Sequence, residues 1–274
     1  MKRECWVLYY MEDYKKNQRF VELLTGRLKK EDITVRVLLL DCEDIEEALK
    51  KNVPQIVINR SRNAKVAERL EQKGIRVMNP SKVTKIANDK LRTYESLKGI
   101  VDFMPLMEKE TIYPCVVKSR GGHGGQEVFL VHNHQEKEEV TEHLRSQGRN
   151  YICQQYCNEP GKDLRVYVIG KEIVLSMLRQ SKEGFKSNYS LGGTAEIYAL
   201  SEKEKKTVYK VLDKIDMDYG GIDFVFHNGE LMLNEIEDAV GARMVYENTD
   251  TDIVGEFADY IVPYLGQKNG LSQI

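Results

Sequence analysis

The stretch GIDFVFHNGELMLNEIED, residues 221–238, predicts a β-hairpin that gathers acidic side chains. Its two apolar runs flank an Asn-Gly pair, which is the strongest short-range hairpin signal when it separates alternating runs. Asp223 lies on the first run, and Glu235 and Glu237 lie on the second. Residues two apart share one face of a strand, so both glutamates are expected to point the same way. Such oxygen ligands suit magnesium together with substrate phosphates, although an acidic solvated strand face is the alternative.

A second stretch, PCVVKSRGGHGGQEVFLV at 114–131, joins two apolar runs through a glycine-rich loop. The first run ends in Lys118, which can supply a positive charge for phosphate, and glycines let backbone amides approach an anion closely. The loop is neither a P-loop nor a dinucleotide fingerprint, because it lacks GK[ST] and leads into a strand, not a helix. This stretch alone is compatible with two interpretations, a phosphate-covering loop and a plain hairpin turn.

A series of segments resembles the ATP-grasp superfamily, and within it the RimK-like carboxylate–amine ligases. In chain order the segments are NDKLRTYESL (88–97), VVKSRGGHGG (116–125), ICQQYCNEPGKDLRVYVIG (152–170), LRQSKEGFKSNYSLGG (178–193) and the hairpin pieces GIDFVF (221–226) and NEIED (234–238). The resemblance covers about residues 88–260. Each segment is modest by itself, but their order and spacing together are specific.

This resemblance implies an ATP site. The implied nucleotide contacts are Lys90, Lys118, Gly122, Gly124, Gln155, Tyr156, Asp163, Lys186, Ser187 and Asn188. In the family pattern the lysines spread positive charge over the triphosphate, the Gln155-Tyr156 hinge meets adenine, and Asp163 meets the ribose diol. Asn188 can donate a hydrogen bond to phosphate.

The metal ligands and catalytic cations follow from the same resemblance. Asp223, Glu235 and Glu237 are the implied ligands of magnesium, with manganese as an alternative. Arg179 and Arg165 are the candidates for holding the transferred phosphoryl group or the tetrahedral oxyanion. Arginine also forms buried carboxylate pairs readily, so a purely structural ion pair is the alternative for both.

One departure from the family pattern concerns Glu237. Relatives usually carry an amide side chain there, as Glu-x-Asn, whereas this chain has a carboxylate and therefore one more negative charge. Arg243 follows closely in the sequence and could offset that charge.

The first 88 residues alternate strand-like and helix-like patterns. CWVLYY, ITVRVLLL and PQIVIN predict strands, and NQRFVELLTGRLKK, EDIEEALKK and NAKVAERLEQKG predict helices. This alternation predicts a parallel sheet with right-handed crossovers. Arg60 and Arg62 follow the third strand, at the edge where such sheets bind ligands. Either arginine could meet a carboxylate substrate or simply be solvated.

The predicted fold class is therefore α/β with an α+β grasp. We expect a pre-ATP-grasp domain with an open parallel sheet at 1–88, and then a two-lobed ATP-grasp fold with antiparallel sheets. Its lobes are a lid subdomain at 89–150 and a C-terminal subdomain with the metal site at 151–274.

The composition predicts a soluble cytoplasmic enzyme. The chain has 274 residues, 41% of them hydrophobic, and a net charge of −2, and it has no long basic run of the kind that binds nucleic acid. No apolar run approaches the roughly 18 residues of a membrane-spanning helix. The cysteines are odd in number and lack a C-x-x-C pair, which favours reduced thiols. Homo-oligomerisation is left open.

The activity implied by the resemblance is ATP-dependent ligation. A small-molecule or peptide carboxylate would be phosphorylated to an acylphosphate, and an amino acid would then attack it through its amine, releasing ADP and phosphate. The alternative is a catalytically inactive ATP-binding protein with a regulatory or assembly role, which the carboxylate at Glu237 favours. The retained lysines and acidic residues favour the ligase.

Overall fold

The computed structural model describes residues 3–107, 111–122, 124, 125, 127–181, 184 and 193–266. Three β-sheets organise these residues, and each sheet contains strands that the sequence patterns predicted. No helix in this part of the chain is long and apolar enough to cross a membrane.

The first sheet is parallel and has the strand order β2-β1-β3-β4. Its strands are β1 (Arg3–Tyr9), β2 (Ile33–Leu39), β3 (Ile56–Asn59) and β4 (Arg76–Met78). The helices of this region are α1 (Met11–Lys16), α2 (Gln18–Lys29), α3 (Ile45–Lys51), α4 (Ala64–Gln72), α5 (Ser81–Ala87) and α6 (Lys90–Leu97). The predicted parallel sheet and its helices are thus confirmed, and the short strand β4 is an element that the sequence patterns missed.

The second sheet is antiparallel, with the strand order β6-β5-β7. It contains β5 (Cys115–Ser119), β6 (Val128–Val131) and β7 (Tyr151–Gln155), and α7 (His134–Ser146) connects the last two. The glycine-rich loop therefore joins strand to strand, as predicted. Because β7 pairs with β5, this lid sheet extends past the predicted boundary at residue 150.

The third sheet is also antiparallel, with the strand order β10-β9-β8-β11-β12. Its strands are β8 (Glu159–Ile169), β9 (Glu172–Gln180), β10 (Thr194–Ile197), β11 (Tyr219–His227) and β12 (Glu230–Glu237), and the helices of this region are α8 (Glu202–Lys214), α9 (Arg243–Asn248) and α10 (Ile253–Gly266). The predicted hairpin is β11–β12, and its Asn228-Gly229 turn has both residues at positive φ, 54° and 74°. Asparagine and glycine tolerate this left-handed backbone best, which explains the turn chemistry.

One hydrophobic core joins the first sheet to the five-stranded sheet. It includes Val7 of β1, Phe20 of α2, Tyr167 of β8 and Phe257 of α10, and the ring of Phe257 stacks on Tyr219 at 4.7 Å. Because this core is continuous, the carboxyl edge of the parallel sheet is held in place against the end of the β11–β12 hairpin.

Candidate active site

A cleft opens between the lid sheet and the five-stranded sheet, and it gathers most of the predicted site residues. Those that line it are Lys90, Lys118, Gly122, Gln155, Tyr156, Asp163, Arg179, Asp223 and Glu235. The predicted residues Gly124, Arg165 and Glu237 are described but do not line it. The predicted residues Lys186, Ser187 and Asn188 lie outside the described residues.

Part of the cleft lining is apolar, and the same cleft is lined by Gln155, the last residue of β7, and by Tyr156 of the predicted hinge. The apolar side chains there are Met104, Val116, Val128 and Val225. Val116 and Val128 come from the lid sheet, Val225 comes from the five-stranded sheet, and Met104 precedes β5 in the chain, so both sheets contribute to this apolar slot. A slot of this kind suits a flat aromatic base, with polar groups of the hinge at its edge.

The start of α6 fixes the first lysine beside the glycine-rich loop. Asp89 caps the helix by accepting from the backbone N–H groups of residues 91 and 92, and it also pairs with Arg120, just after β5, at 2.5 Å. The backbone N–H of Lys90 donates to the Arg120 carbonyl at 2.9 Å. The N-cap thus serves two purposes, since it begins the helix and ties Lys90 to the loop.

Two lysines converge in the cleft although both are nearly buried. Lys90 is 8% exposed, its Nζ donates to the Gly122 carbonyl at 2.6 Å, and it lies 3.0 Å from Glu235. Lys118 is 5% exposed and donates to Asn234 Oδ1 at 2.8 Å. Burial, assisted by the charge of Lys90, lowers the pKa of Lys118 to about 8. Buried ammonium groups this close together are costly, and an anion in the cleft would relieve the cost.

A β-bulge explains why Asn234 and Glu235 both line the cleft. Asp223 pairs with Glu235, but Phe224 pairs with Leu233, so Asn234 is an extra residue on β12. Bulges of this kind redirect a side chain. Asn234 is a cleft residue that our sequence interpretation missed, although the sequence carries a signal: buried positions Leu231 and Leu233 are two apart, whereas the next, Ile236, is three further on.

Charged residues alternate in sign across the five-stranded sheet. Arg179 Nε and Nη2 donate to Asp163 at 2.5 and 2.8 Å, and Nη2 also donates to Asp223 at 2.7 Å. Arg165 donates to both Asp223 oxygens at 2.8 and 2.6 Å and lies 2.6 Å from Glu237. We call Asp163, Arg179, Asp223, Arg165 and Glu237 the ion row. Neighbouring strands bring these residues side by side, since Asp163 pairs with Arg179 and Asp223 with Arg165.

The ion row keeps its central carboxylate ionised. Burial by itself raises the pKa of Asp223, but the charges of Arg165 and Arg179 outweigh burial and lower it to about 2. Burial also opposes ionisation of Glu235, and there the charge of Lys90 prevails and lowers the pKa. Both carboxylates are therefore anionic at neutral pH.

Glu237 is balanced by Arg165 and not by Arg243. The guanidinium of Arg165 lies 2.6 Å from the Glu237 carboxylate. Arg243, which the sequence suggested as the counter-ion, is exposed at the start of α9.

The predicted metal ligands are not gathered into a preformed site. Within the described ranges, no three His, Cys, Asp or Glu side chains are grouped closely enough to hold a metal ion. The reason is visible in the contacts: Asp223 faces two arginines, Glu235 faces Lys90, and Glu237 faces Arg165. The donor chemistry nevertheless fits magnesium, because Asp223 and Glu235 present carboxylate oxygens to the cleft. The metal site stays a prediction.

The two arginines after β3 have different surroundings. Arg60 is 2% exposed, lies 3.9 Å over the Phe20 ring, and donates to the Val240 carbonyl at 2.9 Å. It is therefore a structural residue, and our suggestion that it meets a substrate was wrong. Arg62 instead pairs with Asp13 of α1 at 3.1 Å, and its guanidinium lies 4.0 Å from Glu237 of the hairpin.

Replacing Lys118 with methionine is expected to weaken Mg-ATP binding by about 10- to 100-fold, because a charge-assisted hydrogen bond to phosphate is lost. In the parent, binding should also weaken above about pH 8, since the free protein must then take up a proton; the dissociation constant should rise toward about tenfold per pH unit. Titration calorimetry across pH measures both effects. Lys137→Met is the matched control, because Lys137 lies on α7 and donates a hydrogen bond to Thr111. Unchanged affinity in Lys118→Met would refute the phosphate contact.

The family model of the RimK-like ATP-grasp domain matches residues 64–261. Human N-acetylaspartylglutamate synthase A is 29% identical to this chain, over 94% of this chain and 75% of that protein.

Solved structures share the fold. D-alanine–D-alanine ligase from Bacillus anthracis, complexed with ATP, superposes with a TM-score of 0.73 at 15% identity, covering 96% of this chain and 97% of the other. The ATP-grasp ligase PsnB, complexed with a phosphomimetic variant of its minimal precursor, Mg and ADP, gives a TM-score of 0.69 at 14% identity, with coverages of 96% and 99%. At such identities the likeness establishes the fold alone, whereas the family model spans well over half of the sequence. The chain belongs to the RimK-like ATP-grasp family.

Proposed function

We propose that this protein is an ATP-dependent ligase that joins a carboxylate to an amine through an acylphosphate and releases ADP and phosphate. The observation that carries the proposal is the cleft itself. Two nearly buried lysines, Lys90 and Lys118, face the anionic pair Asp223 and Glu235 beside an apolar slot. This is the arrangement that a nucleotide triphosphate with its divalent cation requires.

In the first step a substrate carboxylate oxygen attacks the γ-phosphorus and the bond to the ADP oxygen breaks. In the second step an amine attacks the acyl carbon, phosphate leaves, and the amine loses a proton. Lys90 and Lys118 bind the phosphates, and Arg179, with its neighbour Arg165, stabilises the negative charge that develops on the transferred group. Magnesium bound to Asp223 and Glu235, with Glu237 as the third proposed ligand, would neutralise phosphate charge.

The substrates are proposed from the names of relatives. N-acetylaspartylglutamate synthase and D-alanine–D-alanine ligase each have an amino acid in their product, and PsnB is complexed with a peptide precursor. We therefore propose an amino acid as the amine and a small-molecule or peptide carboxylate as its partner. The unpaired thiols, of which Cys5, Cys115 and Cys153 are buried, support a reducing, cytoplasmic setting.

Mg-ATP is expected to stabilise the protein. A ligand present at 100 times its dissociation constant adds about 2.7 kcal/mol to the free energy of unfolding, because it binds only the folded state. Thermal melts with Mg-ATP, with ATP plus EDTA and with magnesium alone measure this. ADP release is then measured with single amino acids combined with single carboxylates. No shift at millimolar Mg-ATP would overturn the nucleotide site.

A second candidate function is ATP binding without ligation, in a regulatory or assembly role. It is favoured by the carboxylate of Glu237, which faces Arg165 and not the cleft. The same experiments separate the two functions, since a thermal shift without ADP release for any substrate pair would favour the binding protein.

A further inference from the structure

Arg62 connects the first sheet to the end of the ion row. It follows β3 at the carboxyl edge of the parallel sheet, which is where open α/β sheets bind ligands. Its Nη1 lies 3.1 Å from Asp13 on α1, and its Nη2 lies 4.0 Å from Glu237 on β12. The side chain is 22% exposed, so solvent and solutes reach it.

The backbone of Arg62 is in an unfavourable conformation. Its φ of 58° lies in the left-handed region, where the Cβ of an L-residue crowds the following carbonyl and glycine is preferred. Non-glycine residues held in this way concentrate at functional sites, where the surrounding structure maintains them. The strain is therefore a reason to look for a role of the side chain itself.

The guanidinium of Arg62 also has unused hydrogen-bonding capacity. Its Nε is buried and has no hydrogen-bond partner among the residues that the structure describes. The 4.0 Å separation from Glu237 is too long for a hydrogen bond. Buried polar groups usually find a partner, so an acceptor is expected at this position.

The position of Arg62 relative to the cleft indicates which acceptor. Along the hairpin the order is hinge side, then Asp223 and Glu235, then Glu237 about 7 Å further on, at about 3.4 Å per strand residue. With adenine at the hinge and the phosphates beside Asp223 and Glu235, the substrate carboxylate attacks in line from the far side, and the amine must then reach the acyl carbon on that same side. That far side is where Glu237 and Arg62 lie.

We propose that Arg62 binds the α-carboxylate of the amino acid that supplies the amine, and that Asp13 lies beside its ammonium group. The charge beside Arg62 carries this choice: a cation paired with the carboxylate of Asp13 matches a zwitterion, whereas a dicarboxylate would meet Asp13 as a like charge. A guanidinium can bind a carboxylate with two parallel hydrogen bonds. This assignment rests on the proposed ligase function and names the substrate class of that site.

Two variants test the assignment, and neither is expected to prevent folding. Arg62→Gly removes the guanidinium and relieves the left-handed backbone, and Arg62→Met removes the charge but keeps the aliphatic stem. Arg27→Met is the matched control, because Arg27 also joins the N-terminal region to a C-terminal helix, through Asp259 at 2.7 Å. Each protein is saturated with magnesium and a non-hydrolysable ATP analogue. Single L-amino acids, their α-amides, their decarboxylated amines and small dicarboxylates are then titrated calorimetrically.

We expect at least one amino acid to bind the parent and its α-amide and decarboxylated amine to bind far more weakly. In Arg62→Gly and Arg62→Met the affinity for that amino acid should fall by about 10- to 100-fold, with the affinity for the ATP analogue unchanged. Arg62→Gly should melt at or above the parent temperature, and Arg27→Met should bind the amino acid as the parent does.

Three results would overturn the assignment: equal amino-acid affinity in parent and Arg62→Gly, a loss of affinity for dicarboxylates instead of amino acids, or no amino acid binding to the nucleotide-loaded parent. Failure of the proposed function is a separate result, because it would appear as no binding of the ATP analogue to any protein in the set.

Discussion

Replacing Arg179 with methionine is expected to abolish ATP turnover and to lower the free energy of unfolding by about 3–5 kcal/mol. The arginine is 3% exposed and pairs with both Asp163 and Asp223. Removing one partner of a buried ion pair leaves uncompensated charge, here two carboxylates, and this costs about 3–5 kcal/mol. Urea denaturation measures the loss in the free energy of unfolding, and single-turnover ADP formation measures the loss in ATP turnover.

Arg179→Lys separates the charge of Arg179 from its hydrogen-bond geometry, and Arg27→Met is the control for an exposed ion pair. Lysine keeps the charge but cannot bridge two carboxylates with a planar fork, so Arg179→Lys should recover much of the stability and little of the activity. Arg27→Met breaks an exposed pair, 41% and 54% exposed, and should cost less than about 1 kcal/mol. If Arg179→Lys turned over ATP at the parent rate, Arg179 would be structural and would have no part in the reaction.

Much of the site could be predicted from the sequence because its chemistry lies in local patterns. The hairpin was predicted from the Asn-Gly turn and Lys118 from its place at a strand end before the glycine-rich loop, whereas Lys90 was implied by the family resemblance. The structure brings Lys90, Lys118, Asp223 and Glu235 into one cleft as expected. These residues sit on regular elements, whose side-chain directions follow from periodicity alone.

The features that sequence interpretation missed depend on contacts between distant segments. Arg60 and Arg62 looked equivalent after β3, but only the tertiary core decides that Arg60 is sealed against Phe20. The counter-ion of Glu237 was sought nearby in sequence, at Arg243, whereas a neighbouring strand supplies Arg165. Sequence proximity cannot reveal such pairs, because strand neighbours are far apart along the chain.

The bulge is an intermediate case. The spacing of the buried leucines and Ile236 signalled a change of register on β12, so Asn234 was accessible to a closer reading of the pattern. Its contact with Lys118 was not, since that contact joins two sheets.

Replacing Glu235 with glutamine is expected to reduce magnesium-dependent ATP turnover by about 100-fold or more, because a metal ion contributes several kcal/mol of charge stabilisation and loses a carboxylate ligand. Glu235 lines the cleft opposite Asp223 and is paired with Lys90. Turnover is measured across magnesium concentrations, and nucleotide binding is measured with and without EDTA. Glu230→Gln is the matched control, since Glu230 lies on the same strand but pairs with Lys203 at the surface.

Variants of Glu237 distinguish a role as a metal ligand from a role as a counter-ion of Arg165. If Glu237 is a metal ligand, asparagine should replace it, because the amide oxygen can still reach the metal, whereas alanine has no oxygen to offer. Glu237→Asn would then keep magnesium-dependent turnover and Glu237→Ala would lose it. As a counter-ion of Arg165 it acts by charge alone, and then both variants would be impaired alike because both are neutral. We expect the first pattern. A double-mutant cycle between positions 165 and 237 measures the counter-ion role independently, since a coupling energy appears only if the two side chains interact. Equal impairment of the asparagine and alanine variants, together with strong coupling to Arg165, would remove Glu237 from the metal site and leave Asp223 and Glu235 as its ligands.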